Sequence, residues 1–156
     1  MDAFTTCLWF DTEAADAADF YCDVFPDGEI TGRQLYGDAG PGPAGTVLTV
    51  DFTINGQRFV GLNGGPQFRF DEAISFQIHC ADQDEVDRYW GRLTEGGEES
   101  QCGWCKDRFG VSWQVIPTAL PELLADPDPG RAERALAAML RMQKIDIGAL
   151  QQAADG

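Results

Sequence analysis

"AISFQIHCADQDEVDRYW", residues 73–90, holds two periodicities back to back. Through Cys80 it reads as a strand, and alternation places Ala73, Ser75, Gln77 and His79 on one face. Asp82 and, three residues on, Glu85 then have the spacing of a capping box, and Val86, Tyr89, Trp90 and Leu93 recur at helical intervals. Gly96-Gly97 ends the helix. The stretch is therefore a strand feeding directly into an amphipathic helix.

Working outward, the same order occurs nearer the start. Residues 4–10 read as a strand, Asp11 or Thr12 is placed to cap a helix, and Ala14, Ala17, Ala18, Tyr21, Val24 and Phe25 form its apolar stripe until Pro26-Asp27-Gly28 stops it. Extended segments at 29–36, 46–54 and 57–62 follow, separated by the Gly/Pro loop 37–45 and by Asn55-Gly56, the dipeptide that favours a tight hairpin. After the second helix come short extended pieces at 98–102 and 103–106, a turn at 107–110 and a strand at 112–116 closed by Pro117. Two β-α-β-β-β units in tandem are an internal repeat of structure. The fold class expected is α+β: two tandem βαβββ modules forming a half-open barrel with a cleft, plus a C-terminal helical tail. The modules span about 3–64 and 72–117, giving a domain at 1–117, and 118–156 is a helical extension packed on it. Within the extension, 121–124 reads as one helical turn, 131–143 as a helix, and Asp146 as the cap of a last helix through Ala154, with Met139 and Met142 as core filler.

Cys102-Gly-Trp-Cys105 raises the question of a metal or redox pair. In extended backbone a separation of three puts the two sulfurs on opposite faces, and the only histidine of the chain is His79. A redox pair also needs its first cysteine at a helix N-terminus, whereas this stretch leads into a turn and a strand. Ordinary thiols are the expectation.

Composition bounds the partners. Eleven Lys and Arg against twenty-six Asp and Glu leave a formal charge of −15, which repels nucleic acid and anionic lipid alike. Apolar runs of only a few residues give no segment approaching the roughly 20 needed to cross a bilayer. The opening Met-Asp-Ala-Phe-Thr-Thr has no basic segment followed by an apolar one, so the reading expects no leader and a cytoplasmic location. Five scattered cysteines fit that setting.

"FYCDVF" at 20–25, "NGG" at 63–65, residues 72–90, "GWCKDRFGVSWQVIP" at 103–117 and "AMLRMQKIDI" at 138–147 together resemble the PhnB-like branch of the vicinal-oxygen-chelate superfamily, which includes glyoxalase I, bleomycin-resistance proteins and extradiol dioxygenases. Members of this branch often carry the label 3-demethylubiquinone-9 3-methyltransferase. The residues give that label no support: a nucleotide-like cofactor is usually held by a Gly-rich loop opening a helix, whereas Gly64-Gly65 precedes Pro66 and Gly96-Gly97 follows a helix. The resemblance implies a homodimer and a divalent metal held by one His, Gln or Glu from each of four strands. Those positions fall near Thr6, around Leu62 or Asn63, on Ala73 and on Gln114. Only Gln114 is a donor of the expected kind, and a neutral amide is a weak one.

No cofactor is therefore favoured, and a divalent metal, if used, would call on His79 and Gln114. The cleft residues expected to meet a small organic ligand are Trp9, Phe68, Gln77, His79, Trp104, Trp113 and Gln114, with Phe52 and Phe70 as further candidate walls. Arg69 is read as a solvated linker charge and Lys106–Asp107 as a surface pair. Two functions follow: metal-free binding of a small molecule, or a metal-dependent lyase, isomerase or dioxygenase of the glyoxalase type.

Overall fold

The computed structural model describes residues 4–156; residue 3, where the first module was expected to begin, lies outside the described residues. The chain divides into two compact units, the first ending at Phe70 and the second running Asp71–Gly156.

The first unit contains β1 (Thr6–Phe10), α1 (Ala14–Val24), β2 (Glu29–Leu35), β3 (Val47–Ile54) and β4 (Gln57–Asn63). Its sheet has the order β1-β4-β3-β2, with β1 parallel to β4 and the other pairs antiparallel. Asn55 and Gly56, both at positive φ, make the hairpin between Ile54 and Gln57. The register puts Leu8 opposite Gly61 and Phe10 opposite Asn63, so these residues share the face covered by α1 with Val50, Phe52, Ile54 and Phe59. Small Ala14, Ala17 and Ala18 let the helix approach closely, and Tyr21 stacks on Phe52, itself stacked on Phe59 at 5.3 Å. Each such aromatic pair adds about 0.5–1.5 kcal/mol beyond area burial.

The cap of α1 differs from expectation. Neither Asp11 nor Thr12 supplies it; the side-chain oxygen of Asn63, at the end of β4, accepts the Ala14 N–H at 2.9 Å while its amide nitrogen donates to the Val47 carbonyl at 3.1 Å. A residue distant in sequence can take this role because the parallel β1–β4 pairing brings the end of β4 beside the start of the helix.

The second unit repeats the plan with β5 (Ser75–Cys80), α2 (Gln83–Thr94), β6 (Glu98–Glu99), β7 (Trp104–Lys106) and β8 (Ser112–Pro117), in the order β5-β8-β7-β6 with β5 parallel to β8. Asp82 accepts the Glu85 N–H and the Glu85 carboxylate reaches back to the Ala81 N–H, closing the expected cap one residue earlier than the usual box. Val86, Tyr89, Trp90 and Leu93 bury against Ile78, Cys80, Cys105, Trp113 and Val115.

Three local expectations need correction. Cys102 is not extended: at φ 59 it sits in a turn before β7, because its N–H and that of Gly103 are taken by the carbonyls of Met142 and Gln143. The strand-parity reading of the two sulfurs therefore does not apply. Lys106 and Asp107 do not pair; Lys106 meets Glu72 at 2.5 Å. Asp107 is instead buried, accepting the N–H groups of Phe109 and Val111 and the Trp113 indole N–H at 2.8–3.1 Å.

Helices α3 (Ala119–Leu124), α4 (Pro129–Met139) and α5 (Ile147–Asp155) belong to the second unit. Leu120, Ile145 and Leu150 form a small core with Ile116, Met139 and Met142 packed against it. Gln83 joins this core to α2, donating to the Ile145 carbonyl and accepting the Ile147 N–H. α4 starts at Pro129, capped by Asp128, and stops four residues short of the expected end because the carbonyls of 142 and 143 turn toward Cys102 and Gly103.

Two outcomes follow. Asp107→Ala strands three donors in the core and is expected to cost about 2–4 kcal/mol in urea unfolding, with Asp107→Asn costing less because one oxygen remains. Burial pushes the Cys80 and Cys105 thiols up to about 12. Iodoacetamide at pH 8 is therefore expected to modify Cys7, Cys22 and Cys102 in the native protein, and Cys80 and Cys105 only after unfolding, as read by peptide mass spectrometry.

Candidate functional site

Because α2 covers one face of the second sheet, only the other face is open for chemistry. Register decides its membership: Gln77 lies opposite Gln114, and Gln114 opposite Trp104, so these three form one lateral row. His79, opposite Ile116, is exposed one row further along. Trp113, expected in the cleft, points the other way; it is 3 % exposed, packs at 5.3 Å from Phe76 and is anchored by Asp107. Being next in sequence to Gln114 on a strand, it cannot share that residue's face.

The polar groups of this row satisfy one another. The Gln77 amide donates to the Gln114 side-chain oxygen at 3.2 Å, and the Gln114 amide nitrogen donates to the Ser75 hydroxyl at 2.7 Å. Ala73 precedes β5 altogether, its N–H held at 2.9 Å by the Asp71 carboxylate in a short turn.

In the first unit, the open face of the sheet carries Trp9 and Leu62, which are register partners. Trp9 donates its indole N–H to the Gly65 carbonyl at 2.9 Å and meets Phe68 edge-on at 5.0 Å, so two of the candidate wall residues lie side by side. Gly64 passes so close to the indole that any side chain there would strike it. Phe52 is core, and Phe70 packs edge-on against Phe10.

Thr6 lies opposite Phe59, on the α1 side of the sheet. Of the two candidates at the end of β4, Leu62 has no donor atom and Asn63 is committed to capping α1 and holding Val47. Ala73 offers a methyl group, and the Gln114 oxygen is already accepting from Gln77. Among the described residues no three His, Cys, Asp or Glu side chains are grouped to hold a metal ion. Fewer than the three protein ligands usual for a catalytic divalent ion are present, so this donor set does not fit one. The glycine pair Gly64-Gly65 follows β4 and is occupied by Trp9, which does not fit a cofactor-cradling loop either.

A cavity of about 580 Å³ lies within the first unit. It is lined by residues 41–43, 46–47 and 63–67, with Asp11, Thr12, Ala15 and Tyr36. Tyr36 organises it: its hydroxyl donates to the Asn63 carbonyl at 2.5 Å, and the loop folds over its ring so tightly that a Cβ on Gly42 would come within 2.5 Å of it. Sequence reasoning missed this site. Its one legible signal was the glycine and proline density of 37–45, which marks a loop but not what the loop encloses.

The chain matches the family model 3-demethylubiquinone-9 3-methyltransferase over residues 2–116. No curated protein matches it. Among solved structures, it is 32% identical to the PhnB protein from Bacillus cereus, which carries the same methyltransferase description, with TM-score 0.69 over 75% of this chain and 100% of that one. Protein PA1353 from Pseudomonas aeruginosa, at 20% identity and TM-score 0.61 over 75% and 98% of the two chains, shares the fold. So does the fosfomycin resistance protein FosX from Mesorhizobium loti, at 14% identity and TM-score 0.55 over 80% and 98%. With its two four-stranded mixed sheets and this family match, the chain belongs to the PhnB-like family of the vicinal-oxygen-chelate superfamily, whose model bears the 3-demethylubiquinone-9 3-methyltransferase name.

Proposed function

We propose that this chain is a cytosolic, homodimeric binder of a small organic molecule that works without the superfamily's divalent metal. The observation that carries the reading is the state of Gln114. It is the one position of four whose side chain is of the ligating kind, and both ends of its amide are spent on Gln77 and Ser75. The exposed part of the second sheet's face away from α2 supplies what a neutral ligand needs: an aromatic wall at Trp104 and polar groups at Gln77, His79 and Gln114. Five free thiols, none paired, are in keeping with a reducing compartment. Among the described residues no helix is long and apolar enough to cross a membrane.

The methyltransferase name supplies no role for these residues, because the glycine pairs follow β4 and α2 rather than opening a helix. The rival reading, metal-assisted lyase, isomerase or dioxygenase chemistry, has to be built from His79 and Gln114, neighbours on adjacent strands one row apart.

Elemental analysis of protein purified without chelator separates the two. The expected result is substoichiometric Zn, Ni, Mn and Fe, with a melting temperature unmoved by EDTA. One equivalent of any of these metals, lost in the double variant His79→Ala and Gln114→Ala, would reverse the assignment.

A further inference from the structure

The cavity of the first unit contains none of Gln77, His79, Trp104 or Gln114, and its chemistry is its own. At about 580 Å³ it falls within the roughly 300–1,000 Å³ of sites that enclose drug-sized ligands. Pro41, Pro43 and Pro66 contribute ring carbons and no N–H, and Ala15, Val47 and the Tyr36 ring extend the apolar wall. The polar atoms within it are largely committed: Tyr36 to Asn63, Asn63 to Ala14 and Val47, and the Thr46 hydroxyl to the Pro43 carbonyl at 2.6 Å.

What remains for a ligand is the Asp11 carboxylate, the Thr12 hydroxyl and the Gln67 amide. Asp11 has no hydrogen-bond or ion-pair partner among the described residues. The lining, among those residues, includes no lysine, arginine or histidine, and the chain as a whole carries −15. An anion entering here would meet a carboxylate and no compensating cation, whereas an amine would find its counter-charge at Asp11.

We infer that this cavity binds a flat, apolar organic cation of the aromatic-amine class, its ring against Tyr36 and the prolines and its charge toward Asp11. This goes beyond the metal-free reading, and the metal content of the same preparation tests that reading separately.

The test uses two probes with one ring and opposite charge, 2-naphthylmethylamine and 2-naphthoate, titrated into the full-length protein by calorimetry. The amine is expected to bind at least about fivefold more tightly, the ratio that one charge pair at contact distance in water supplies. Asp11→Asn is expected to erase that ratio while ring binding persists, and Glu122→Gln, an exposed charge in the second unit, to leave it unchanged. Ala15→Trp, and independently Thr12→Trp, should fill the space and abolish binding of both probes, with circular dichroism verifying the fold. Failure of both probes to bind, equal affinities, a preference that survives Asp11→Asn, or binding that survives the folded tryptophan variants would overturn the inference.

Discussion

Everything in each unit follows from one pairing: the first strand lies parallel to the last, β1 to β4 and β5 to β8. A parallel neighbour cannot be reached by a hairpin, so a helix must cross between, and it comes to rest on one face of the sheet. From then on every strand residue has a fixed side. Leu8, Phe10, Val50, Phe52 and Phe59 bury under α1, and Ile78, Cys80, Trp113 and Val115 under α2. The other face, carrying Trp9 in one unit and Gln77, Gln114 and Trp104 in the other, is what remains for binding.

That constraint also explains how much was legible beforehand. Strand, cap and helix at 73–90 could be read because each signal is local: alternation, Asp82 with Glu85, and a stripe at helical spacing. The Asn55-Gly56 hairpin is legible for the same reason. Trp113 was misassigned although the same alternation rule, applied between it and Gln114, already separates them. Other misreadings involve partners far apart in sequence. Asn63 caps a helix forty-nine residues earlier, and the carbonyls at 142 and 143 bend Cys102 out of a strand. Asp107 looked like a surface charge because nothing in "KDRFG" reveals that Trp113 will hand it an indole N–H in the core.

The candidate site divides along the same line. Side chains at the superfamily's ligating positions could be assessed from identity alone, since Ala73 and Leu62 have nothing to donate. The first-unit cavity could not, because it depends on a tyrosine reaching the main chain of β4 and on a loop wrapping its ring. A family name describes ancestry, whereas Gln114 bonded at both ends describes what this chain's own atoms are occupied with.

The segment after Pro117 lies beyond the family match, yet between α4 and α5 the carbonyls of Met142 and Gln143 are stitched to the amides of Cys102 and Gly103, and Ile145 packs in the core to which Ile116 contributes. Removing residues 118–156 would uncover the main-chain donors of Cys102 and Gly103 beside a short sheet edge, inviting intermolecular strand pairing. The C-terminal segment thus keeps these donors paired, a guard against self-association that is separate from any part it takes in ligand binding.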